Sequence, residues 1–102
     1  MSVPPKSLRI CGVPYRVHFC GDADMQGDGH AGECCFMTQR IRVRDILPRA
    51  TARNVLWHEV GEAIKNVDSL EMDHVTMTVA FNRALEVLDG NPTLRAHLWG
   101  GK

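Results

Sequence analysis

One ten-residue stretch, Val55-Leu56-Trp57-His58-Glu59-Val60-Gly61-Glu62-Ala63-Ile64, sets three residues of chemical interest among apolar neighbours. Read as a helix, it projects His58 and Glu62 from one face a turn apart, with Glu59 beside them. Charge inside an apolar helix is costly unless something pairs with it, and a bound cation is one such partner. An imidazole and a carboxylate at i and i+4 suit a divalent metal, and a glutamate directly after the first donor can act as a base toward water. The common helical form of this arrangement is His-Glu-x-x-His; here the fifth position is Glu62. The plainer reading makes His58, Glu59, Glu62, Lys65 and Asn66 a solvated stripe, with Glu62 and Lys65 paired across one turn.

A third donor is expected from the next helical segment. Leu70, His74, Met77, Thr78, Phe81, Leu85 and Leu88 recur at three- and four-residue steps and form one stripe. His74 therefore points where the apolar residues point, near the end that follows the first helix. Alone it reads as a core histidine bonded to backbone; beside an incomplete metal pair it reads as a ligand. Glu71 and Asp73 are neighbouring alternatives, and the gap between Glu62 and His74 allows a short reversal.

The elements that must position these residues follow from the patterning. Ser7 to Cys11 reads as a strand, ended by a turn at Gly12-Val13-Pro14. Tyr15 to Cys20 alternates with period two, Tyr15, Val17 and Phe19 on one side and Arg16 and His18 on the other. Gly21 to Gly32 reads as a polar, glycine-rich loop, Glu33 to Met37 as a strand, and Thr38-Gln39 as a turn. Arg40-Ile41-Arg42-Val43-Arg44 alternates with Ile41 and Val43 inward. The sum is an α+β fold with a small, mainly antiparallel sheet whose arginine-bearing face is wet. In a chain without net charge that face reads as solvated rather than as a phosphate-binding surface.

Pro48 suits the first turn of a helix running to about Val67. Gly61 inside it costs roughly 1 kcal/mol relative to Ala, which predicts a close neighbour, expected to be a sheet strand crossing the helix. Asp68-Ser69-Leu70-Glu71 reads as a capping box for a second helix to Leu88. Gly90 suits a left-handed C′ position, and Asn91-Pro92 starts a short helix through about Trp99.

The 102 residues suffice for one domain with a modest core, expected to span residues 1–102. Twelve basic and twelve acidic residues balance, which argues against a dedicated nucleic-acid binder. No apolar run is long enough to cross a membrane, and the first residues lack an apolar signal region, so a cytoplasmic protein is expected. Cys11, Cys20, Cys34 and Cys35 are then expected as small buried thiols, because a reducing cytoplasm disfavours disulfides and their spacing matches no paired Cys-x-x-Cys zinc knuckle. Asp22-Ala23-Asp24-Met25-Gln26-Gly27, with Glu33 at the twelfth position, has the outline of a calcium loop. Its flanks read as strands and Gly29 replaces the usual apolar residue, so a glycine-rich hairpin loop with solvated aspartates is expected.

The order of parts resembles the small phage and prophage zinc metallopeptidases, a minimal gluzincin-like core. The resemblance rests on Gly32-Glu33-Cys34 before the alternating strand Ile41-Arg42-Val43-Arg44, then on Leu56-Trp57-His58-Glu59-Val60 with Ala63-Ile64. The helix beginning near Leu70 and the closing Asn91-Pro92-x-Leu94 extend it. The resemblance implies a zincin-like fold, zinc as cofactor, His58 as ligand and Glu59 as general base. In that family two histidines of the first helix and an acidic residue early on the second hold the metal. This chain offers His58, Glu62 and His74, which keeps two imidazoles and one carboxylate with a fourth position open. The implied activity is hydrolysis of a peptide bond in a peptide or protein substrate, in the cytoplasm of a host cell, with a homodimer as one way to extend a cleft. The alternative is a catalytically inactive zincin-like protein that presents a surface to a host or phage partner.

Overall fold

The computed structural model of the chain describes residues 4–21, 30–68 and 71–100. Strands β1 (Ser7–Ile10) and β2 (Val13–Cys20) form a hairpin closed by Cys11 and Gly12, with φ of 52° and 80°. Two consecutive left-handed residues give the turn twist that a two-residue hairpin requires. The turn thus falls earlier than expected, and Val13 and Pro14 belong to β2. Pro14 is tolerated because the β2 amides alternate in direction. Val17 donates to the Lys6 carbonyl on one side and Arg16 to the Gln39 carbonyl on the other, both at 2.9 Å. Pro14 shares the parity of Arg16, so its missing N–H faces away from β1 and lies before the ladder to the other neighbour begins.

Strands β3 (Gly32–Cys35) and β4 (Arg40–Arg44) are antiparallel, with Cys35 opposite Arg40. Phe36 and Met37, expected at the end of a strand, lie instead in the turn that Gln39 closes at φ 54°, and Met37 is 95% exposed. The strand order is β1-β2-β4-β3, and the central pair β2 and β4 runs parallel, Val17 beside Ile41 and Phe19 beside Val43. The sheet is therefore mixed, antiparallel only in its two outer pairings. Alternation of apolar residues decides which face is buried but is blind to strand direction.

Helix α1 (Arg49–Val67) covers the apolar face of the sheet. Ile10, Tyr15, Ile41, Val43 and Ala63 form the buried cluster, with Val55, Leu56, Val60 and Ile64 packed around it. Helix α2 (His74–Gly90) packs on α1, and α3 (Pro92–Leu98) packs on α2. Gly61 does have a close neighbour, but it belongs to α2 rather than to a strand. A Cβ there would lie 2.9–3.1 Å from the edge of the Phe81 ring. One turn earlier Trp57 donates from Nε1 to the Phe81 carbonyl at 2.8 Å, and the two rings stand 5.4 Å apart.

The start of α2 also differs from expectation. Asp73 is its N-cap, accepting from the Thr76 amide at 2.7 Å and the Thr76 hydroxyl at 3.1 Å. Asp68 instead ends α1, its amide donating to Ile64, and Ser69 and Leu70 lie outside the described residues. Gly90 is the last residue of α2 and is not left-handed; the chain turns at Asn91, whose Nδ2 donates to the Val87 carbonyl. All four cysteines are free and none is fully buried, so they are not the core thiols expected; only Cys34 packs against the core. Among the described residues no helix is long and apolar enough to cross a membrane.

Candidate metal centre

The candidate site lies where α2 begins beside the middle of α1. His58 and Glu62 stand one turn apart on α1, and His74 is the first residue of α2, placed there by the Asp73 cap. Nδ1 of His74 lies 3.4 Å from Oε2 of Glu62. The rings of His58 and His74 meet edge to face, centroids 5.0 Å apart and planes at 68°. One donor atom from each of the three residues lies within 4.8 Å of the other two. Donors bound tetrahedrally to zinc at 2.0–2.1 Å stand about 3.3 Å from one another. The His74–Glu62 pair already matches that separation, and the exposed His74 side chain has room to rotate and close the remainder. In number and type the residues fit a divalent metal ion, and their spacing would have to close by up to about 1.5 Å to hold one tetrahedrally.

Glu71 and Asp73, the alternative third donors, do not join this group among the described residues. The Asp73 carboxylate is engaged by Thr76, and the hydrogen bond from the Thr76 amide holds its pKa below the usual range. Glu62 reaches across to His74 rather than along the helix to Lys65, and Glu59 is only 8% exposed. A solvated stripe does not describe this face.

Glu59 lies on the sheet side of the cluster, under β3. A Cβ on Gly32 would come within 3.3 Å of Glu59 Cγ, 3.2 Å of the Arg42 carbonyl oxygen and 2.5 Å of Val55 Cγ1, so a glycine is what lets the strand lie on this helix. Burial, then the charges of Glu62 and Glu33, push the Glu59 carboxyl up to about 7. Burial, then His74, lowers the pKa of His58 against the opposing pull of Glu62. A neutral imidazole is the form that ligates a metal.

Sequence reasoning missed Cys34 as a neighbour of the site. Its thiol is pushed up to about 12, first by burial and then by Glu59, Glu62 and Cys35. At neutral pH it therefore lines the site as an uncharged S–H. The period-two step from Gly32 to Cys34 is the signal that places it on the helix-facing side. Of the calcium-loop outline, residues 22–29 lie outside the described residues; Glu33 sits on β3, paired with Arg42 at 3.2 Å.

Comparison of the chain with protein-family models, curated proteins and solved structures gives no match. The class rests on the fold and the donor group alone: an α+β fold that has, among the described residues, a mixed four-stranded sheet, three helices and a His/Glu/His cluster between two of the helices.

Proposed function

We propose that this chain is a small zinc metallopeptidase of the zincin type, akin to those of phages and prophages. In this reading His58, Glu62 and His74 hold the metal, and Glu59 is the general base. The observation that carries it is the convergence of three donors from two helices beside a buried carboxyl whose pKa is near neutral. Two imidazoles and one carboxylate leave a fourth position for water or substrate, the pattern of catalytic rather than structural zinc sites. Zinc, when bound, supplies Lewis acidity there. Burial raises the Glu59 carboxyl to about 7 in the metal-free chain, and a bound cation would draw it toward the ionised form that takes a proton from water and returns it to the leaving amine. The His58 imidazole is kept neutral by burial, and His74, tied to the helix end by Asp73, completes the cluster. The substrate would be a peptide or protein, met in a host cytoplasm.

The test is elemental analysis of the purified chain together with hydrolysis of a mixed peptide library. One zinc per chain and cleavage that a chelator abolishes support the reading. The second reading is a catalytically inactive zincin-like binding protein, favoured by the same His74–Glu62 contact, which is an ion pair whenever His74 carries a proton. A chain that takes up no zinc at micromolar concentrations and cleaves no peptide supports that one.

A further inference from the structure

The sheet face that α1 leaves open carries segregated charge. The four strands hold five arginines, Arg9, Arg16, Arg40, Arg42 and Arg44, and one acidic residue, Glu33, in a chain whose net charge is zero. The parallel register sets Arg16 beside Arg40 and His18 beside Arg42. Along β4 the arginines repeat every second residue, about 6.7 Å apart, and the neighbouring strand lies about 4.8 Å away. Like charges directly opposite one another destabilise a sheet. Glu33 pairs with Arg42 at 3.2 Å. Arg44 donates from Nε to the His30 carbonyl, which holds its guanidinium at one end of the row. Arg16 and Arg40 make no ion pair among the described residues. On this face lies a cleft of about 220 Å³ lined by His18, Cys20, Arg40 and Arg42.

We infer that this cleft is a binding site for a phosphate-type oxyanion, the phosphoryl group of a small phosphorylated ligand or free phosphate. Guanidinium forks match the oxygens of such a group, and an anion seated between Arg40 and Arg42, with Arg16 beside Arg40 in the register, offsets like charge on this face. A nucleic-acid strand fits less well. The face presents no Phe, Tyr or Trp on which bases would stack, and the chain lacks the basic excess of a nucleic-acid binder. The site is on the opposite side of the sheet from His58, Glu62 and His74, and it does not depend on metal there.

The experiment is titration of the ¹⁵N-labelled full chain with inorganic phosphate and then pyrophosphate, at ionic strength matched with chloride and followed by amide and arginine Nε resonances. Saturable shifts centred on Arg16, His18, Arg40 and Arg42 are expected, with pyrophosphate the tighter ligand. Arg40→Gln should weaken binding about tenfold, the scale of one charge-assisted hydrogen bond, Arg16→Gln beside the cleft should weaken it less, and Arg83→Gln on α2 should not. Both substitutions replace exposed strand residues, and the same spectra report whether each variant is folded. Tighter binding of a simple phosphate monoester than of inorganic phosphate would point to a phosphorylated metabolite, the reverse order to free phosphate; either supports the site. Shifts that chloride reproduces, shifts centred on His58 and His74, or affinity unchanged in both variants would overturn it. So would an oligonucleotide that binds more tightly than pyrophosphate, with affinity rising with its length.

Discussion

Nδ1 of His74 lies 3.4 Å from Oε2 of Glu62, joining the first residue of α2 to the middle of α1. The contact ties two segments whose order in the chain says nothing of their separation, and it places His74 against His58 as well. Three protein donors leave no spare. Alanine at His58, Glu62 or His74 is therefore expected to weaken zinc at least about 100-fold, the upper end of what losing a supporting residue costs. Glu62→His should bind at least as tightly as the parent. Affinity should fall in acid because protons compete for the ligands, with the lowered pKa of His58 keeping that imidazole available to a pH below the ordinary histidine value. Competition with a chromophoric chelator, run across pH, measures all of this.

Asp73 separates the capping role from the ligand role. Its carboxylate serves the Thr76 amide and hydroxyl. Asp73→Ala should cost about 1 kcal/mol of stability while lowering zinc affinity far less than His74→Ala. Urea unfolding paired with the same competition assay reads both. Loss of metal from Asp73→Ala on the scale of His74→Ala would make Asp73 the third ligand.

Glu59 is expected to give the metal-free protein a distinct pH dependence. Its carboxyl is raised from 4.5 to about 7 on folding, so the folded chain holds this proton more tightly than the unfolded chain. The stabilisation is fully present below about pH 4.5 and is lost as pH rises through 7, to a limit of about 3 kcal/mol by pH 8. The lowered pKa of His58 acts in the opposite sense, so the informative quantity is the difference from Glu59→Gln. That variant should lack the loss and be the more stable chain at pH 8 in the presence of a chelator. It should also retain zinc while losing peptide hydrolysis, since an amide cannot take the proton from water. Denaturant melts at pH 5 and pH 8, with one metal analysis, decide the matter.

Two glycines set how closely the site's elements approach. Gly61→Ala gains about 1 kcal/mol of helix propensity but drives a Cβ into the edge of Phe81, an overpacking cost of about 1–3 kcal/mol. A net loss of up to about 2 kcal/mol is expected, and Phe81→Ala should remove the penalty in a double-mutant cycle. Gly32→Ala has no such compensation and meets backbone as well as side chain, so a loss of about 1–3 kcal/mol is expected, with Glu59 displaced. A Gly32→Ala chain as stable as the parent would show that β3 does not rest on α1 as described.

What the sequence alone determined is local. Alternation set Tyr15, Val17 and Phe19 on one side of β2 and Ile41 and Val43 inward on β4; all are buried except Phe19, which is 37% exposed. The i, i+4 spacing set His58 and Glu62 on one face, because a helix fixes that relation within one turn. The stripe through His74, Met77 and Phe81 pointed to α1 for the same reason. Tertiary structure decided everything that depends on partners. The parallel pairing of β2 and β4 was illegible because an alternating pattern reads the same in either direction. Asp68 and Asp73 are equally good capping residues by type, and the helix begins at the one that sets His74 against Glu62. The ring that fills the space over Gly61, the burial that lifts Glu59 and the thiol of Cys34 beside it all come from segments distant in the chain. Spacing carries no information about such contacts, because desolvation and close approach are properties of the packed whole.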